Sequence, residues 1–392
     1  MSEPARTSSA DQPLDGLLDR VRSVVPLVAS RAAQAERARK PDDDVIEALK
    51  ETGVFRSFVP RRFGGYEIDM GLYVDIGVAV SEACASTGWI TTFYMEHNWQ
   101  LVHFSEELQV EVFSKAPFIL APGAVNPANG TATPVAGGYE VTGRWKFGTG
   151  VVHADWVLLS AMAPTDDGSA MMMKCLVPFE HISVADTWHV DGMLATGSMD
   201  MIAEGVFVPD LYAVPRTAVP DGAGEGGYME NFPMRPFLTL TAAIPSIGVA
   251  RRAVELFRAL LAERVRFGTT KLQKNSAPAQ IRLARVVTEV RAAESTMRKA
   301  AAQLEAHARS QKPLSESEQM GVSLAIAQVV HDCKRIVRHV MEGSGASVHY
   351  LDHELQRINR DIQMIAAHTV FDLELSSQAY GRTLLEDDEP LF

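Results

Sequence analysis

Tyr139-Glu-Val-Thr-Gly-Arg-Trp-Lys-Phe147, running on into Gly148-Thr-Gly150, is the stretch on which the reading of the fold turns. Its odd positions are mostly large and apolar, a period of two that predicts a β-strand. Trp156–Ala161, Met171–Val177 and Met201–Val208 are further strand candidates, set apart by turn residues. A compact antiparallel sheet or barrel is therefore expected over 118–232.

On both sides the texture is helical. Upstream, Leu14, Leu17, Leu18, Val21, Val24, Val25 and Val28 follow a helical stripe, which Pro26 is expected to kink or split. Pro41 and Asp42, Asp43 and Asp44 mark a second helix start, with acids at its positive end, and Gly53 suits its carboxy-terminal cap. Downstream, Pro278 to about Ser310 reads as one helix. Ser315 and Glu318 form a capping box for the next, which Gly343 can end, and two more helices are expected over 352–368 and 370–385. The expected fold is mainly α with a central β domain: residues 1–117 an amino-terminal helical domain, 118–232 the β domain, 233–392 a four-helix bundle.

Composition narrows the function. A net charge of −12 argues against nucleic acid, and no run approaches the length of uninterrupted apolar residues that a membrane span needs. The polar start shows no secretory signal, and Cys84, Cys175 and Cys333 form no pair, which fits a reducing cytoplasm. Gly222-Ala-Gly-Glu-Gly-Gly227 matches GxGxxG but follows no strand and opens no helix, so a loop is expected. His349 and His353 lie four apart with no convincing third ligand, so no metal site is expected.

Four segments carry candidate chemistry. In Trp145-Lys-Phe-Gly-Thr-Gly-Val-Val-His-Ala-Asp-Trp156, a hydroxyl residue between glycines lets backbone approach a flat ring closely. Arg264-Val-Arg-Phe-Gly268, followed by Gln280, suits a phosphate and a planar group. His97 stands among aromatics in Tyr94-Met-Glu-His-Asn-Trp-Gln-Leu101, and His368 at the junction of the last two helices. Each has a plainer reading: a glycine turn, a solvated helix end, a packed core histidine.

Together they resemble the acyl-CoA dehydrogenase superfamily over nearly the whole chain. Arg264, Phe267, Gly268 and Gln280 look like its RxxFG…Q bundle motif, Arg360-Asp361 like its late helix motif, and Trp145 to Trp156 like its flavin-side segment. The dehydrogenases need a carboxylate base, and Thr369 stands where most of them place it; Asn231 through Val254, an alternative location, contains no acid. The pattern instead resembles the two-component flavin-dependent monooxygenase branch, which includes oxygenases of 4-hydroxyphenylacetate, of a secosteroid phenol, of dibenzothiophene and of indole. That resemblance implies reduced FMN or FADH2 from a separate NAD(P)H:flavin reductase, reached by flavin diffusion. It also implies O2, a small aromatic substrate, a C4a-hydroperoxyflavin and a homotetramer. By the same resemblance His97, Thr149 and His368 are catalytic. Asn126, Trp145, Phe147, Thr149, Gly150, Arg264, Phe267, Gln280 and Gly345 bind the cofactor, with Trp145 and Phe147 flanking its ring. An N- or S-oxygenase, an acyl-CoA dehydrogenase and a catalytically silent scaffold are the rival expectations.

Overall fold

A computed structural model of the chain describes residues 13–124, 127–165, 168–216, 227–310 and 314–386. Asn126, residues 222–226 of the glycine-rich string and residues 387–392 lie outside the described residues. Helices α1 (Leu17–Ala38), α2 (Asp43–Thr52), α3 (Met70–Ala83), α4 (Ala85–Trp99) and α5 (Glu106–Phe113) come first. Strands β1 (Gly123–Ala124), β2 (Gly130–Val135), β3 (Gly138–Gly148), β4 (Trp156–Pro164), β5 (Ala170–Pro178), β6 (Ser183–Ala185), β7 (Met199–Pro209) and β8 (Ala213–Pro215) follow. Helices α6 (Met234–Glu263), α7 (Ala277–Ser310), α8 (Glu316–Ser344), α9 (Glu354–Ala366) and α10 (Leu373–Glu386) close the order. The chain divides into two compact units. One comprises Met1–Asp69, Ile90–His189 and Leu194–Asn231; the other comprises Met70–Trp89, Val190–Met193 and Phe232–Phe392.

In the first unit α2 begins as its sequence dictates, with Asp43 and Asp44 in its first turn and Gly53 capping it at φ 81°. α1 runs unbroken through Pro26, where a kink or split was expected. A proline removes one N–H from the ladder; the buried stripe Leu17, Val21, Val28, Ala32 and Ala35 keeps both halves on one core. The eight strands form one sheet in the order β6-β7-β3-β2-β4-β5-β8, with β1 beside β4. The sheet is mixed, not purely antiparallel as expected, because β1 and β2 run parallel to β4. Two-residue β1 and the small, polar β2 carry too little apolar alternation to be read as strands. The sheet core gathers Val141, Trp145, Val157, Leu159, Met173, Cys175 and Met201.

In the second unit α6, α7, α8 and α10 build the bundle, with α3 and α9 packed on it. α3, read as part of the amino-terminal zone, is tied here by Tyr73 Oη donating to Thr241 Oγ1 (3.0 Å) and by Arg298 on Asp75 (2.6 Å). Gly248 permits the close approach, since a Cβ there would lie 2.7 Å from that of Ser81. The Ser315–Glu318 capping box is present. α8 does not stop at Gly343 but two residues later, at Gly345 (φ 72°). Gly343 is small for a different reason: a Cβ would lie 2.9 Å from the Phe257 ring. α6 is long and apolar enough to cross a membrane, and 83% of its most apolar window is buried inside the protein.

Candidate active site

β3 carries the first cluster. A bulge between Trp145 and Gly148 interrupts the β3–β7 register. It turns Phe147 to φ 67° and leaves that ring 60% exposed. The period-two pattern puts Trp145 and Phe147 on one face; the bulge separates them. Trp145 is fully buried in the sheet core, its indole N–H donating to the Ser160 carbonyl (2.8 Å). Gly130 leaves room for its ring, since a Cβ there would lie 2.1 Å away. The Trp145 ring therefore has no face left for a ligand. Phe147 does: it meets Trp188 edge-on at 6.0 Å, forming an aromatic corner. A bulky residue at positive φ costs on the order of 1–3 kcal/mol, and such strain persists where the surroundings impose it.

The turn after Phe147 is held from three sides. Thr149 N–H donates to the Phe147 carbonyl (2.8 Å), Gly150 N–H to Thr196 (2.9 Å), and Tyr94 Oη, from α4, donates to the Gly150 carbonyl (2.6 Å). Gly150 sits at φ 71°, where a Cβ would lie 2.4 Å from Tyr94 Oη. Thr149 is buried, 9% exposed, and its hydroxyl shares a hydrogen bond with Ser198 (3.2 Å), which shares another with Thr196 (2.7 Å). This run of hydroxyls was not read from the sequence.

His97 lies on α4 in the same unit. Its Nδ1 meets the Ala121 carbonyl at 2.5 Å, so Nδ1 carries the proton and Nε2 keeps its lone pair. Nε2 faces Glu96 Oε2 at 3.4 Å and Gly123, where a Cβ would approach to 2.8 Å. Phe93 packs edge-on at 5.5 Å. Burial pushes the His97 pKa down to about 4, so the ring is neutral near pH 7. Glu96 is itself fully buried. Gln100 Nε2 donates to both its carboxylate oxygens (2.9 and 3.2 Å), and Lys174 Nζ donates to Gln100 Oε1 (2.8 Å). Sequence reasoning missed this trio. Its one signal was Glu96 as the sole charged neighbour of His97 in an otherwise uncharged helix.

The second unit holds the other candidates. His368 caps the turn after α9, its Nδ1 accepting from Val370 N–H (3.4 Å), with Trp89 at 5.7 Å. Burial lowers its pKa to about 4. Arg264 donates to the Ser344 carbonyl, and Gly345 makes way for the guanidinium; a Cβ there would lie 2.6 Å from it. One of five donors is thus used on the helix end. Phe267 is wholly exposed, and Gln280 Nε2 donates to the nearby Lys274 carbonyl (3.0 Å). Arg360 and Asp361 clamp the segment Val190–Met193: Arg360 donates to Asp191 O (2.5 Å), and Asp361 accepts from Met193 N–H (2.6 Å). Thr369 is exposed.

Residues 240–373 match the acyl-CoA dehydrogenase C-terminal domain family. Over 377 residues the chain is 30% identical to a pigment production hydroxylase of Rhodococcus sp. (strain ATCC 21145), covering 94% of this chain and 96% of that one. The chain belongs to the flavin-dependent monooxygenase branch of the acyl-CoA dehydrogenase superfamily. It is also 27% identical to the oxygenase component of p-hydroxyphenylacetate 3-hydroxylase from Acinetobacter baumannii, over 94% of this chain and 89% of that one. The 3-HSA hydroxylase from Rhodococcus sp. RHA1 superposes with a TM-score of 0.89 at 26% identity, covering 96% of this chain and 98% of its own. Within the first unit, the strained, outward Phe147 beside Trp188 and a hydroxyl at a glycine turn have the chemistry to meet a flat ring such as a flavin's; within the second, Arg264 at a helix end has the chemistry to meet an anionic group.

Proposed function

We propose that this oxygenase hydroxylates a small aromatic compound, a phenol or a fused ring such as indole. It would use reduced FMN or FADH2 from a separate NAD(P)H:flavin reductase. The carrying observation is a substitution of chemistry. The dehydrogenase base position is occupied by exposed Thr369, α6 opens without an acid, and a neutral, buried histidine, His97, stands on α4.

The bound flavin supplies the activation of dioxygen. Phe147 and Trp188 would hold its ring, with Trp145 acting from beneath as packing for the turn. Thr149, kept in place by Ser198 and Tyr94, would present its hydroxyl to a ring nitrogen. Arg264, with Gln280 and Phe267 from the same segment, would meet the phosphate, and Gly345 gives that guanidinium its room. His97 would accept the substrate's O–H or N–H proton at Nε2, since Nδ1 is already committed to Ala121. His368, neutral and itself capping the turn through Nδ1, would serve as a hydrogen-bonding group. Such chemistry needs water kept away, and the burial of His97 and Thr149 serves that end. The wholly exposed Phe267 and the exposed Tyr350 and Leu351 favour an oligomer, by superfamily habit a tetramer. Three buried free thiols suit the cytoplasm.

The test supplies reductase, NADH and flavin with a panel of phenols and indoles. A product with one added hydroxyl, formed only when reduced flavin is supplied, supports the reading. Anaerobic reduction of the oxidised flavin by an acyl-CoA, with no hydroxylated product, counts against it.

A further inference from the structure

A carboxylate with no exposed surface is rare unless its charge is compensated. Glu96 is fully buried, and its compensation is indirect: one amide, Gln100, donates to both its oxygens and accepts from the Lys174 ammonium. Lys174 is buried too, on β5, where its neighbours Met173 and Cys175 belong to the sheet core. The amide can point only one way. Its N–H groups face the carboxyl and its oxygen the ammonium, so the amide ties Glu96 to Lys174 across the core. No surface salt bridge or helix cap explains the arrangement. Replacing a buried pair by apolar residues often costs nothing, so stability alone does not account for it. Oε2, which accepts the longer of the two Gln100 bonds, also faces His97 Nε2 at 3.4 Å.

We propose that Glu96 completes the proton acceptor, so that the His97–Glu96 pair, with Lys174 as counter-charge through Gln100, is the unit that takes up the substrate's proton. This rests on the reading of His97 as the residue that meets the substrate. The step is a proton transfer with no redox change. The substrate's O–H or N–H bond breaks, its electron pair stays on the substrate, and a new N–H bond forms at His97 Nε2. The charge so created lies against the Glu96 carboxylate, to which the proton can pass, returning His97 to neutral. His97 alone is a poor acceptor, because burial disfavours its charged form; burial affects Glu96 the opposite way, raising its affinity for a proton. The pair therefore titrates as one unit. The charged group acting on both members is Lys174 from β5, which is itself coupled to Arg216 beyond β8 and to His103 beyond α4. Both nitrogens of His103 are buried without a partner. Glu96 is thus a positioning and proton-storing residue, acting through His97.

The experiment compares parent, Glu96→Gln, Lys174→Met, the double variant and His97→Ala, as full chains supplied with reduced flavin. Glu96→Gln should lower kcat for hydroxylation by on the order of 10²- to 10⁴-fold with little change in KM. Lys174→Met, which removes the nearby positive charge and so raises the proton affinity of Glu96 further, should do the same. The double variant removes both buried charges and should fold as stably as the parent, yet stay impaired. A readout independent of turnover is carbon-13 NMR of labelled glutamate in flavin-free protein: one carboxyl should titrate well above the ordinary range, vanish in Glu96→Gln and move in Lys174→Met. Full hydroxylation by the double variant, or no such carboxyl, overturns the proposal. If His97→Ala hydroxylates like the parent, the reading of His97 fails. If His97→Ala is crippled while Glu96→Gln is not, this inference alone fails.

Discussion

Gly150→Ala should damage the turn that presents Thr149, and the structure says by how much. The new methyl meets two penalties. At φ 71° an alanine costs about 1–2 kcal/mol over glycine. Its Cβ would also lie 2.4 Å from Tyr94 Oη, so the tyrosine hydroxyl must leave the Gly150 carbonyl it now bonds at 2.6 Å. Losing a buried hydrogen bond and leaving its partner unsatisfied costs about 1–3 kcal/mol. The total loss expected is roughly 2–5 kcal/mol. Tyr94→Phe removes the hydrogen bond alone and should cost about 1–3 kcal/mol. It also removes the nearest clashing atom, leaving the ring Cζ at 2.8 Å, so Gly150→Ala in the Phe background should retain the backbone cost and only part of the clash. The double variant should therefore fall short of the sum of the singles by about 1 kcal/mol or more. Urea denaturation of the four proteins measures this. Strict additivity, or a Gly150→Ala variant within about 0.5 kcal/mol of the parent, would refute the packing argument.

Two further outcomes are expected. Thr149→Ala should raise hydrogen peroxide released per NADH consumed and lower product yield, and Ser198→Ala should do so more weakly; equal coupling in all three proteins would remove Thr149 from the site. Stability should fall as pH is lowered from about 6.5 towards 4.5. His97 and His368 (held to about 4) and His103 (about 3) resist protonation when folded but bind protons when unfolded, each contributing up to about 1.4 kcal/mol per pH unit. Glu96, shifted upward, opposes them, but three histidines outweigh one carboxyl. A urea midpoint unchanged between pH 7 and pH 5 would contradict this balance.

Local signals were the legible ones. The capping box at Ser315 and Glu318, the acids opening α2, the glycine ending it and the four longest strands are encoded within a few residues of where they act. What depended on a distant partner was not legible. The outward turn of Phe147 is set by its register against β7. Gly343 reads as a stop signal, but its smallness serves Phe257. The parallel pairing of β1 and β2 with β4 has no local mark. In the candidate site, His97, Thr149 and His368 stood out by residue type and neighbourhood. Glu96, Gln100 and Lys174 did not, because charged and amide side chains ordinarily face solvent, and only the packed fold shows all three buried. Trp145 was read as a cofactor platform from its place in the motif, while its ring fills the sheet core.

The most direct measurement of the central claim is a single turnover with isotopically labelled dioxygen, reduced flavin and an accepted aromatic substrate in ordinary water. One labelled oxygen atom in the hydroxylated product is the predicted result. Product oxygen drawn from water, or label found only in hydrogen peroxide and water with every aromatic substrate unchanged, would contradict it.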